Sequence, residues 1–556
     1  MATILTRPLA AIAGICIAAS AVVGCYDSYP TEIPLGVYHA IAPPPSVTGP
    51  ATSNPLPDND VPQHPYLAPN GKNGMHGDAY NSGTYSTAGP LGNDPVIQSA
   101  IPVDYWRNLQ LVALLGECAA HTFNDDGTVL YTVCADVNVF KMLALDVSDD
   151  FNRIGVLTMP WRANVGEPLA DQGRDTSGGL YFHLIKDGAG NDQVLTTNGD
   201  EHVQVIATSG APDPGTGADY GFTIVEDYDV KSYLLDPDPA SPDASKITDV
   251  MIDWTDPDLI WFISRDGTVG IVDRSDGSVE TLQLTHMDGE EVINEEIQNS
   301  MAMDENGLLV VSNYAMHHMS VGINNEPVID WRSEYELGGS TSGTFGEGSG
   351  TTPTALGPDY VAITDFADPI KVVVYSRTTG EVVCSHEVFE QGASSTENSV
   401  IGYYDSSTQT GSIIVENNFG YELHLAPIDT SPVDLPAPGI TRIDVTGGVS
   451  DGECTEVWTS DEISPSVVPK LSTGNGLVYI YTPKFMDPNG SGDTTMNEIA
   501  WYFTALDFAT GETEFQVLTS TGNEWNNHYA PISIGPDGTA YMGTLRGLIS
   551  IKDGSP

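Results

Sequence analysis

The feature that most constrains this chain is a recurring unit of short β-strands. From about residue 101 onward, runs rich in Val, Ile, Tyr and Thr alternate with Asp-Gly, Asn-Gly and Thr-Gly turns, and helical periodicity is nearly absent. Each unit reads as a strand, a tight turn, an apolar strand and then a polar strand with a second turn. The clearest copy is Pro531-Ile-Ser-Ile-Gly-Pro-Asp-Gly-Thr-Ala-Tyr-Met. The pattern predicts an all-β fold.

Further copies begin near His121, Asn299, Asn398 and Pro469. Their spacing of roughly 45 to 65 residues is typical of β-propeller blades with loop insertions. We expect seven or eight four-stranded antiparallel blades, near residues 117–150, 175–210, 248–285, 297–335, 351–390, 396–460, 465–520 and 528–553. The last unit is too short for a whole blade, so we expect an N-terminal strand near residues 101–116 to complete it and close the ring.

The second half of the unit has its own signature. The segment Ala505-Leu-Asp-Phe-Ala-Thr-Gly-Glu-Thr-Glu-Phe515 resembles the repeat of pyrroloquinoline-quinone (PQQ)-type propellers, with Phe515 where that family has Trp, and weaker copies lie at 272–280 and 375–383. In such a hairpin the Thr-Gly or Asp-Gly pair supplies the positive-φ turn between the third and fourth strands. The resemblance covers roughly residues 110–553 and implies a propeller built of these repeats.

The same resemblance implies an enzymatic alternative. Quinone-dependent members of the family hold their cofactor on the propeller axis, beside a metal ion and a catalytic Asp. This chain lacks the adjacent Cys-Cys pair of the alcohol-oxidising members, and none of its positions matches the family's metal ligands or Asp. We therefore expect the fold without PQQ.

Residues 1–24 read as a secretory signal. Arg7 precedes an apolar run from Leu9 to Gly24 that is too short to span a bilayer. The run ends in Val-Val-Gly24-Cys25, which resembles the bacterial lipobox and implies a lipid anchor at Cys25; ordinary signal cleavage is the alternative. We expect an extracytoplasmic protein that is lipid-anchored to the bacterial cell envelope, on the periplasmic side or at the cell surface.

Four further cysteines, Cys118, Cys134, Cys384 and Cys454, suit an oxidising compartment. No Cys-x-x-Cys pair exists, and three disulfide pairings are possible. The proposed blade register favours Cys118–Cys134 across one hairpin and Cys384–Cys454 between the outermost strands of neighbouring blades.

Residues 25–100 differ in composition from the rest of the chain. They are rich in Pro and Gly and have no sustained period of 2 or 3.6. Such a segment buries too little apolar surface to offset its ordering entropy, so we expect a disordered tether ahead of a propeller domain at 101–556. Packing of its tyrosines onto that domain is the alternative.

The chain carries 76 Asp and Glu against 20 Lys and Arg, a net charge of −56. This balance excludes nucleic-acid binding through a basic face and argues against docking on anionic lipid. The acids are spread over every proposed blade. They therefore predict a halophilic-like surface, suited to high salt or to divalent cations.

A candidate calcium loop lies between two predicted strands. Residues 487–498 match the spacing of an EF-hand-type loop. The candidate ligands are Asp487, Asn489, Ser491, Asp493 and Glu498. A strand rather than a helix follows the loop, so an acidic insertion without Ca²⁺ is the alternative.

Polar residues begin and end several of the inner strands. Because inner strands surround the axis, their ends should converge on the channel mouth, where propeller ligands bind. The candidate ligand-binding residues are Asn299, Ser300, Asn313, Asp365, Asn398, Ser399, Glu416, Asn418, Trp525 and His528. Simple capping of strand ends is the alternative.

We interpret the protein as a binding or scaffolding module at the cell envelope, with an envelope protein or glycan as its partner. The alternative is an enzyme that uses the axial pocket, either a PQQ-type oxidoreductase or a hydrolase or lyase of small molecules or glycans. A carboxylate–His pair on the axis would favour catalysis, and an axis plugged by apolar side chains would exclude it.

Overall fold

The computed structural model describes residues 47, 49–100, 117–136, 139–148, 151–160, 179–209, 221–235, 245–422, 433–486 and 498–554. These residues form an all-β propeller of eight four-stranded antiparallel blades. The predicted fold class is confirmed, and the blade number is eight. Within this part of the chain, no helix is long and apolar enough to cross a membrane.

Two strands, β1 (Thr84–Tyr85) and β2 (Val96–Ala100), precede the blades. Blade 1 contains β3 (Cys118–Phe123), β4 (Val129–Asp136), β5 (Val139–Asp146) and β6 (Asn152–Pro160). Blade 2 contains β7 (His183–Lys186), β8 (Asp192–Thr197), β9 (His202–Ser209) and β10 (Gly221–Asp229). Blade 3 contains β11 (Ile247–Ile252), β12 (Leu259–Ser264), β13 (Thr268–Asp273) and β14 (Val279–Gln283). A hairpin of β15 (Thr285–Asp288) and β16 (Glu291–Asn294) follows.

Blade 4 contains β17 (Ala302–Asp304), β18 (Gly307–Val311), β19 (Ala315–Val321) and β20 (Pro327–Glu334). Blade 5 contains β21 (Thr354–Leu356), β22 (Tyr360–Thr364), β23 (Lys371–Ser376) and β24 (Val382–Glu387). Blade 6 contains β25 (Ile401–Asp405), β26 (Thr410–Glu416), β27 (Ile440–Thr446) and β28 (Glu453–Ser460). Blade 7 contains β29 (Lys470–Ser472), β30 (Leu477–Phe485), β31 (Ile499–Asp507) and β32 (Thr513–Thr521). Blade 8 contains β33 (Ile532–Ile534), β34 (Ala540–Thr544) and β35 (Gly547–Lys552). Short 3-10 helices span Lys231–Tyr233 and Asn523–Trp525.

Blade 8 is completed from the N-terminal side of the chain, but not by the expected segment. Strand β2 pairs antiparallel with β35 and is the outermost strand of that blade. The prediction of a closing strand near 101–116 is therefore corrected to 96–100, and 101–116 lie outside the described residues. A hydrophobic cluster that includes Ala100, Leu130 and Leu548 joins blade 8 to blade 1. The ring thus closes without a free blade edge.

The core lies between neighbouring blades. Each blade packs both of its faces against other blades, so inner and middle strands read as continuous apolar runs rather than alternating ones. Strand β12, for example, is buried at every residue, whereas the outermost strand β28 is mostly exposed. Burial therefore decreases from the axis to the rim, which explains why each repeat contains apolar strands followed by a polar one.

The Thr-Gly turns dock onto tryptophans of a neighbouring blade. Asp507 accepts hydrogen bonds from two amides of its own turn, at 3.0 and 2.8 Å, and Gly511 has a φ of 72°. Gly511 lies against the ring of Trp458 on β28. The Trp458 indole also donates to the backbone oxygen of Phe508 at 2.9 Å. The repeat therefore specifies a blade-to-blade contact as well as a hairpin.

Both predicted disulfides are confirmed. Cys118 and Cys134 face each other across the β3–β4 hairpin. Cys384 on β24 and Cys454 on β28 link the outermost strands of blades 5 and 6. The second bond therefore joins two blades at the rim.

Residues 64–85, which we call the axial segment, differ from the expected tether because they run along the propeller axis. Backbone hydrogen bonds join the segment to six innermost strands. The amides of five strands donate to its carbonyl oxygens, from Phe123 to Lys72, Met303 to Ala79, Ala355 to Tyr80, Gly402 to Ser82 and Leu471 to Gly83, at 2.8 to 3.4 Å. In the sixth bond the Ala68 amide donates to the Leu184 oxygen at 2.7 Å. Strand β1 continues the segment as a parallel neighbour of β29. Innermost strands have an unpaired edge, and this segment satisfies it.

The axial segment is also held by side chains. The Tyr80 hydroxyl donates to Glu305 at 2.6 Å and accepts a hydrogen bond from Arg377 Nη1 at 2.6 Å. Arg377 Nε lies 3.0 Å from Asp304 Oδ2. Upstream of the segment, Asn59 donates to the backbone of blade 6 at 2.8 Å. Residues 50–100 are therefore part of the propeller, because backbone pairing replaces the apolar burial that their composition lacks.

Candidate functional site

The predicted site residues lie at one end of the blades, which we call the axial mouth. Asn299 and Ser300 stand just before β17, and Asn398 and Ser399 stand just before β25. Glu416 is the last residue of β26. The first strand of a blade begins beside the end of the antiparallel second strand, so these positions share one end of the axis.

Glu416 is the centre of a buried hydrogen-bonded cluster. Its Oε1 accepts hydrogen bonds from Asn398 Nδ2 and, at 3.4 Å, from Asn418 Nδ2. Its Oε2 has no partner of good geometry in the described part of the chain. Burial raises the pKa of Glu416 to about 8, against opposing effects of Ser464, Asn398, Asn418 and Lys470. The carboxyl group is therefore largely protonated at neutral pH.

Lys470, the first residue of β29, is fully buried near this cluster. Its Nζ donates to the backbone oxygen of Val468 at 3.4 Å. Burial lowers the pKa of Lys470 to about 7, although the charges of Glu416 and Asp78 oppose the shift. Glu416 and Lys470 thus form a pair of groups that both change charge near neutral pH.

The glycine-rich loop, residues 338–350, crosses the axial mouth. The Gly343 oxygen accepts a hydrogen bond from the Tyr529 hydroxyl at 3.0 Å, and the Phe345 amide donates to Glu397 Oε2 at 2.9 Å. A Cβ on Gly343 would lie 1.9 Å from the Asn418 oxygen. Because Asn418 belongs to blade 6 and Tyr529 precedes blade 8, the loop covers the mouth from the side of blades 4 and 5.

Four rings meet beneath and beside this loop. The ring centroids of Phe345 and Tyr529 are 4.8 Å apart, and those of Tyr421 and Tyr529 are 5.4 Å apart. The Tyr421 hydroxyl lies 3.2 Å from His528 Nδ1. His528 and Tyr529 have φ values of 46° and 64°. Two consecutive left-handed residues other than glycine are strained, and such strain concentrates at functional sites.

A second polar cluster surrounds a small cavity between the axial segment and blades 2 and 4. The cavity has a volume of about 10 Å³, enough for roughly one water molecule. Its polar lining residues are Asn73, His76, Asp78, Asn81, Tyr181, His183 and Ser300. Ser399 reaches the same cluster, since its Oγ lies 3.4 Å from His76 Nε2. The segment predicted as a tether therefore contributes half of an axial cluster.

The hydrogen bonds assign the ring proton of His183. The Leu184 amide donates to Asn73 Oδ1 at 2.6 Å, so Asn73 Nδ2 donates to His183 Nδ1 at 3.1 Å. The proton is then on His183 Nε2, which lies 3.5 Å from Asp249 Oδ1. Asp249 Oδ2 accepts a hydrogen bond from Ser300 Oγ at 2.6 Å. His183 and Asp249 therefore lie side by side on the axis, without a hydrogen bond of good geometry between them.

Two titratable groups of the axial segment are shifted by burial. Burial lowers the pKa of His76 well below its ordinary value, with smaller contributions from Lys470 and His183. Burial raises the pKa of Asp78 to about 6, although hydrogen bonds from Ser82 oppose the shift. His76 and Asp78 are therefore both largely uncharged at mildly acidic pH.

The structure brings most, but not all, of the predicted site residues together. Asn299 joins the Glu416 cluster through Glu397, to which its Nδ2 donates at 2.9 Å. Asn313 and Asp365 instead hold their own loops, accepting hydrogen bonds from the amides of Glu296 and Lys371 at 2.9 and 2.7 Å. Trp525 is packed in the hydrophobic cluster of blades 6 to 8. These three residues do not enter the polar cluster.

Sequence reasoning missed Lys470, His76, Asp78, His183 and Asp249. Lys470 carries a usable signal, because a lysine at the start of a buried inner strand is unusual in a chain with so few basic residues. The two residues of the axial segment carry no such signal. Their neighbours in sequence indicate a tether, and only long-range pairing brings them to the axis.

The candidate calcium loop lies outside the described residues except for Glu498. The ligand set Asp487, Asn489, Ser491, Asp493 and Glu498 therefore stays a prediction. Among the residues that are described, no group of three His, Cys, Asp or Glu side chains is arranged to hold a metal ion.

A quinone does not fit the axis of this chain. The axial segment occupies the position that the resemblance assigns to the cofactor, and the cavity beside it measures about 10 Å³. A tricyclic quinone needs a pocket of several hundred Å³. No step through a quinone is therefore derived.

Comparisons with known proteins add little about activity. No protein-family model matches the chain. A curated protein of Archaeoglobus fulgidus, described as uncharacterized, is 28% identical over 317 residues, which cover 52% of this chain and 58% of that protein. The chain therefore spans less than two thirds of that relative.

Three solved structures are similar to this chain in fold. The quinohemoprotein alcohol dehydrogenase of Comamonas testosteroni has a TM-score of 0.47 and 11% identity, over 87% of this chain and 81% of that one. A europium-containing methanol dehydrogenase has a TM-score of 0.44 and 12% identity, over 84% and 89%. BamB of Moraxella catarrhalis has a TM-score of 0.32 and 13% identity, over 66% and 95%.

Similarities at this level say nothing about activity, and the eight-bladed architecture rests on the strand order itself. The two disulfides are those of a domain that folds outside the reducing cytoplasm. The chain is therefore an extracytoplasmic eight-bladed β-propeller whose axis is filled by its own N-terminal segment.

Proposed function

We propose that this protein is a binding module of the bacterial cell envelope, anchored by lipid at Cys25, that takes its ligand at the axial mouth. The observation that carries the proposal is a group of buried polar atoms at that mouth that have no hydrogen bond of good geometry to any described residue. They are Gln298 Oε1, Glu416 Oε2, Asn526 Nδ2 and Asn527 Oδ1, on residues at most 4% exposed. Leaving such an atom unpaired costs about 1–3 kcal/mol, so the arrangement suits a site that a ligand or ordered water completes.

These atoms come from several blades, which supports a single shared site. Gln298 lies before blade 4, Glu416 in blade 6, and Asn526 and Asn527 before blade 8. The Tyr421 hydroxyl links the groups of blades 6 and 8, because it donates to Asn526 Oδ1 at 3.2 Å. Convergence of different blades on one mouth is how a propeller builds a binding surface.

A catalytic role is the second candidate, because His183 and Asp249 form a carboxylate–His pair on the axis. The cavity that this pair faces admits about one water molecule. A substrate would reach the pair only if the axial segment left its place. Since six innermost strands hold that segment by backbone hydrogen bonds, binding is favoured over catalysis.

A ligand-class screen on the purified full chain tests the binding function. Thermal unfolding is followed with neutral sugars, amino acids, divalent cations and PQQ added separately. We expect at least one class to raise the melting temperature of the wild type, and we expect Glu416→Ala to abolish that rise. Asn313→Ala is the matched control, since Asn313 lies at the same end of the blades, its side chain bonds the Glu296 amide rather than the Glu416 cluster, and alanine keeps the Cβ that packs near Gly348.

Two outcomes would count against this function. If no class raises the melting temperature, the mouth is filled by water and the binding function fails. If PQQ raises it, the enzymatic alternative replaces the binding function.

The anchor is tested separately. In a bacterial host, Cys25→Ser should prevent incorporation of radiolabelled palmitate and release the protein from the membrane fraction, because the lipid is attached through the Cys25 thiol. Cys16→Ser is the control within the signal. Unchanged labelling of Cys25→Ser would remove the anchor from the proposal.

A further inference from the structure

The axial mouth has a chemical composition that narrows the ligand class. Its unpartnered atoms include acceptors, Gln298 Oε1 and Asn527 Oδ1, and a donor, Asn526 Nδ2. The hydroxyl groups of Ser464 and Ser466 are also buried there, beside Glu416 and Tyr421, and a hydroxyl can donate one hydrogen bond while it accepts another. A ligand that complements such a mixture must offer both donors and acceptors in several directions. Hydroxyl groups do so, whereas a cation or an anion offers only one kind.

The charge of the mouth also argues for a neutral ligand. Glu416 is buried and accepts hydrogen bonds through Oε1, and Lys470 is the basic group buried near it. A ligand of either sign would have to be stripped of water in a site that already disfavours ionised groups. A neutral polyhydroxyl ligand avoids that cost.

Three aromatic rings lie beside these polar atoms. Phe345, Tyr421 and Tyr529 approach one another edge to face, with ring centroids 4.8 and 5.4 Å apart. Aromatic faces of this kind pack against the C–H faces of a sugar ring while the surrounding polar groups bind its hydroxyls. The mouth therefore combines both elements that recognition of a carbohydrate requires.

We propose that the axial mouth binds a neutral sugar, free or as the end of a glycan, and that the glycine-rich loop of residues 338–350 is the lid of this site. This inference rests on the proposed binding function and names its ligand. The lid is held over the mouth by hydrogen bonds from Phe345 to Glu397, from Tyr529 to Gly343 and from Gln298 to Glu347, and by further bonds at Ser342, Ser349 and Gly350. These bonds must break when the lid opens, and six glycines in thirteen residues then allow its backbone a wide choice of conformations.

Gly343 couples the lid to the site. Its φ is 77°, and a Cβ would lie 1.9 Å from the backbone oxygen of Asn418, whose side chain donates to Glu416. Gly343→Ala therefore prevents the lid from closing on the mouth. Gly338→Ala is the matched control, because Gly338 also has a positive φ, 109°, but has open space around its Cβ position.

The test uses the purified full chain at pH 6 with glucose, galactose, mannose and N-acetylglucosamine, by isothermal titration calorimetry and saturation-transfer NMR. We expect at least one sugar to bind. Glu416→Ala should lower the affinity for that sugar by about tenfold or more, because one well-made hydrogen bond is lost. Asn313→Ala should leave affinity within about twofold. Gly343→Ala should weaken binding more than Gly338→Ala.

Hydrogen exchange provides a measurement that does not depend on the Glu416 variant folding. Bound sugar should slow exchange of the amides of residues 338–350 in the wild type, because a closed lid protects them. Equal weakening by Glu416→Ala and Asn313→Ala, or unchanged lid exchange in the presence of a binding sugar, would place the sugar elsewhere and overturn the inference.

The sugar inference and the binding function fail in different ways. If an amino acid or a divalent cation stabilises the chain through Glu416 and no sugar binds more tightly than about 10 mM, the binding function stands and the sugar inference is wrong. If no class of ligand binds, both are wrong.

Discussion

Three glycines occupy the same turn, between third and fourth strands, in blades 3, 5 and 7. Gly277, Gly380 and Gly511 have φ values of 76°, 71° and 72°, and each donates its amide to the carbonyl four residues earlier. Their surroundings differ. A Cβ on Gly380 or Gly511 would lie 2.5 Å from Trp331 or Trp458, whereas Gly277 has open space.

Alanine at these three positions separates backbone strain from blade docking. Gly277→Ala should lower the free energy of unfolding by about 1–2 kcal/mol, because an alanine in the left-handed conformation is strained and nothing else is disturbed. Gly380→Ala and Gly511→Ala should cost about 1–3 kcal/mol more, because the new methyl group displaces a docked tryptophan ring. Urea denaturation measures the three losses. Equal losses of unfolding free energy in all three variants would show that the tryptophan contacts do not stabilise the fold.

The Glu416 and Lys470 pair predicts opposite pH dependences. Glu416 ionises near pH 4.5 when unfolded and near pH 8 when folded, so its contribution to stability falls as the pH rises through that range. Lys470 keeps its proton to about pH 10.5 when unfolded and to about pH 7 when folded. Its contribution therefore falls as the pH drops through that range.

Chemical denaturation as a function of pH checks this prediction. Glu416→Gln should flatten the profile between pH 4.5 and 8, and Lys470→Met should flatten it between pH 7 and 10.5. Each effect is on the order of a few kcal/mol. Glu512→Gln, at an exposed position of the β31–β32 turn, is the control. A Glu416→Gln profile parallel to the wild type would contradict the raised pKa.

At the scale of elements, the axial segment and β2 are the parts of the fold that composition predicts least well. They supply hydrogen-bond acceptors for five innermost strands, a donor for a sixth, and the fourth strand of blade 8. A chain without them would leave inner amides unpaired and blade 8 with three strands. Each unpaired buried amide costs about 1–3 kcal/mol.

Two truncations test this dependence. A variant lacking residues 1–100 should fail to unfold cooperatively, because it lacks the axial segment and β2. A variant lacking residues 1–46 should keep the wild-type transition, since the described contacts begin with the hydrogen bond from Gln516 to Val47. Calorimetry and near-ultraviolet circular dichroism compare the two. Cooperative unfolding of the shorter chain would mean that the eight blades close without residues 50–100.

For the whole molecule, the property that most affects stability in different solvents is its negative charge. The chain carries 76 acidic and 20 basic residues, a net charge of −56. Most of the ion pairs among described residues use the few available Lys and Arg side chains, such as Arg274 with Glu226 and Arg442 with Asp444. The remaining carboxylates repel one another over a Debye length of about 10 Å at 0.1 M salt.

The melting temperature should therefore rise by several degrees between dilute buffer and molar NaCl, because salt screens this repulsion. Sucrose at equal osmolality is the control, since it stabilises by exclusion from the surface and screens no charge. A melting temperature that does not respond to NaCl, or that rises equally in sucrose, would contradict the interpretation of the acidic surface.

The sequence by itself determined the repeated unit, the all-β class and the Thr-Gly hairpins, and it favoured Cys118–Cys134 across one hairpin. Each of these features depends on a few neighbouring residues, because alternation, turn residues and the register of a hairpin act over a short range. The Cys384–Cys454 pair, 70 residues apart, followed only from counting strands in neighbouring units. The sequence also placed Asn299, Ser300, Asn398, Ser399 and Glu416 at one end of the axis, since their positions follow from counting strands within a unit.

Only the tertiary structure showed where residues 50–100 lie and which side chains meet on the axis. The axial segment pairs with strands that lie roughly 50 to 400 residues away in the chain, as in the bonds from Phe123 to Lys72 and from Leu471 to Gly83. Besides a few turns within the segment, its backbone groups bond to the edges of inner strands, so its own sequence has no periodicity that would predict these bonds. For the same reason, no local sequence pattern predicts that His76 and Asp78 lie near Lys470, since only the closed ring brings them together.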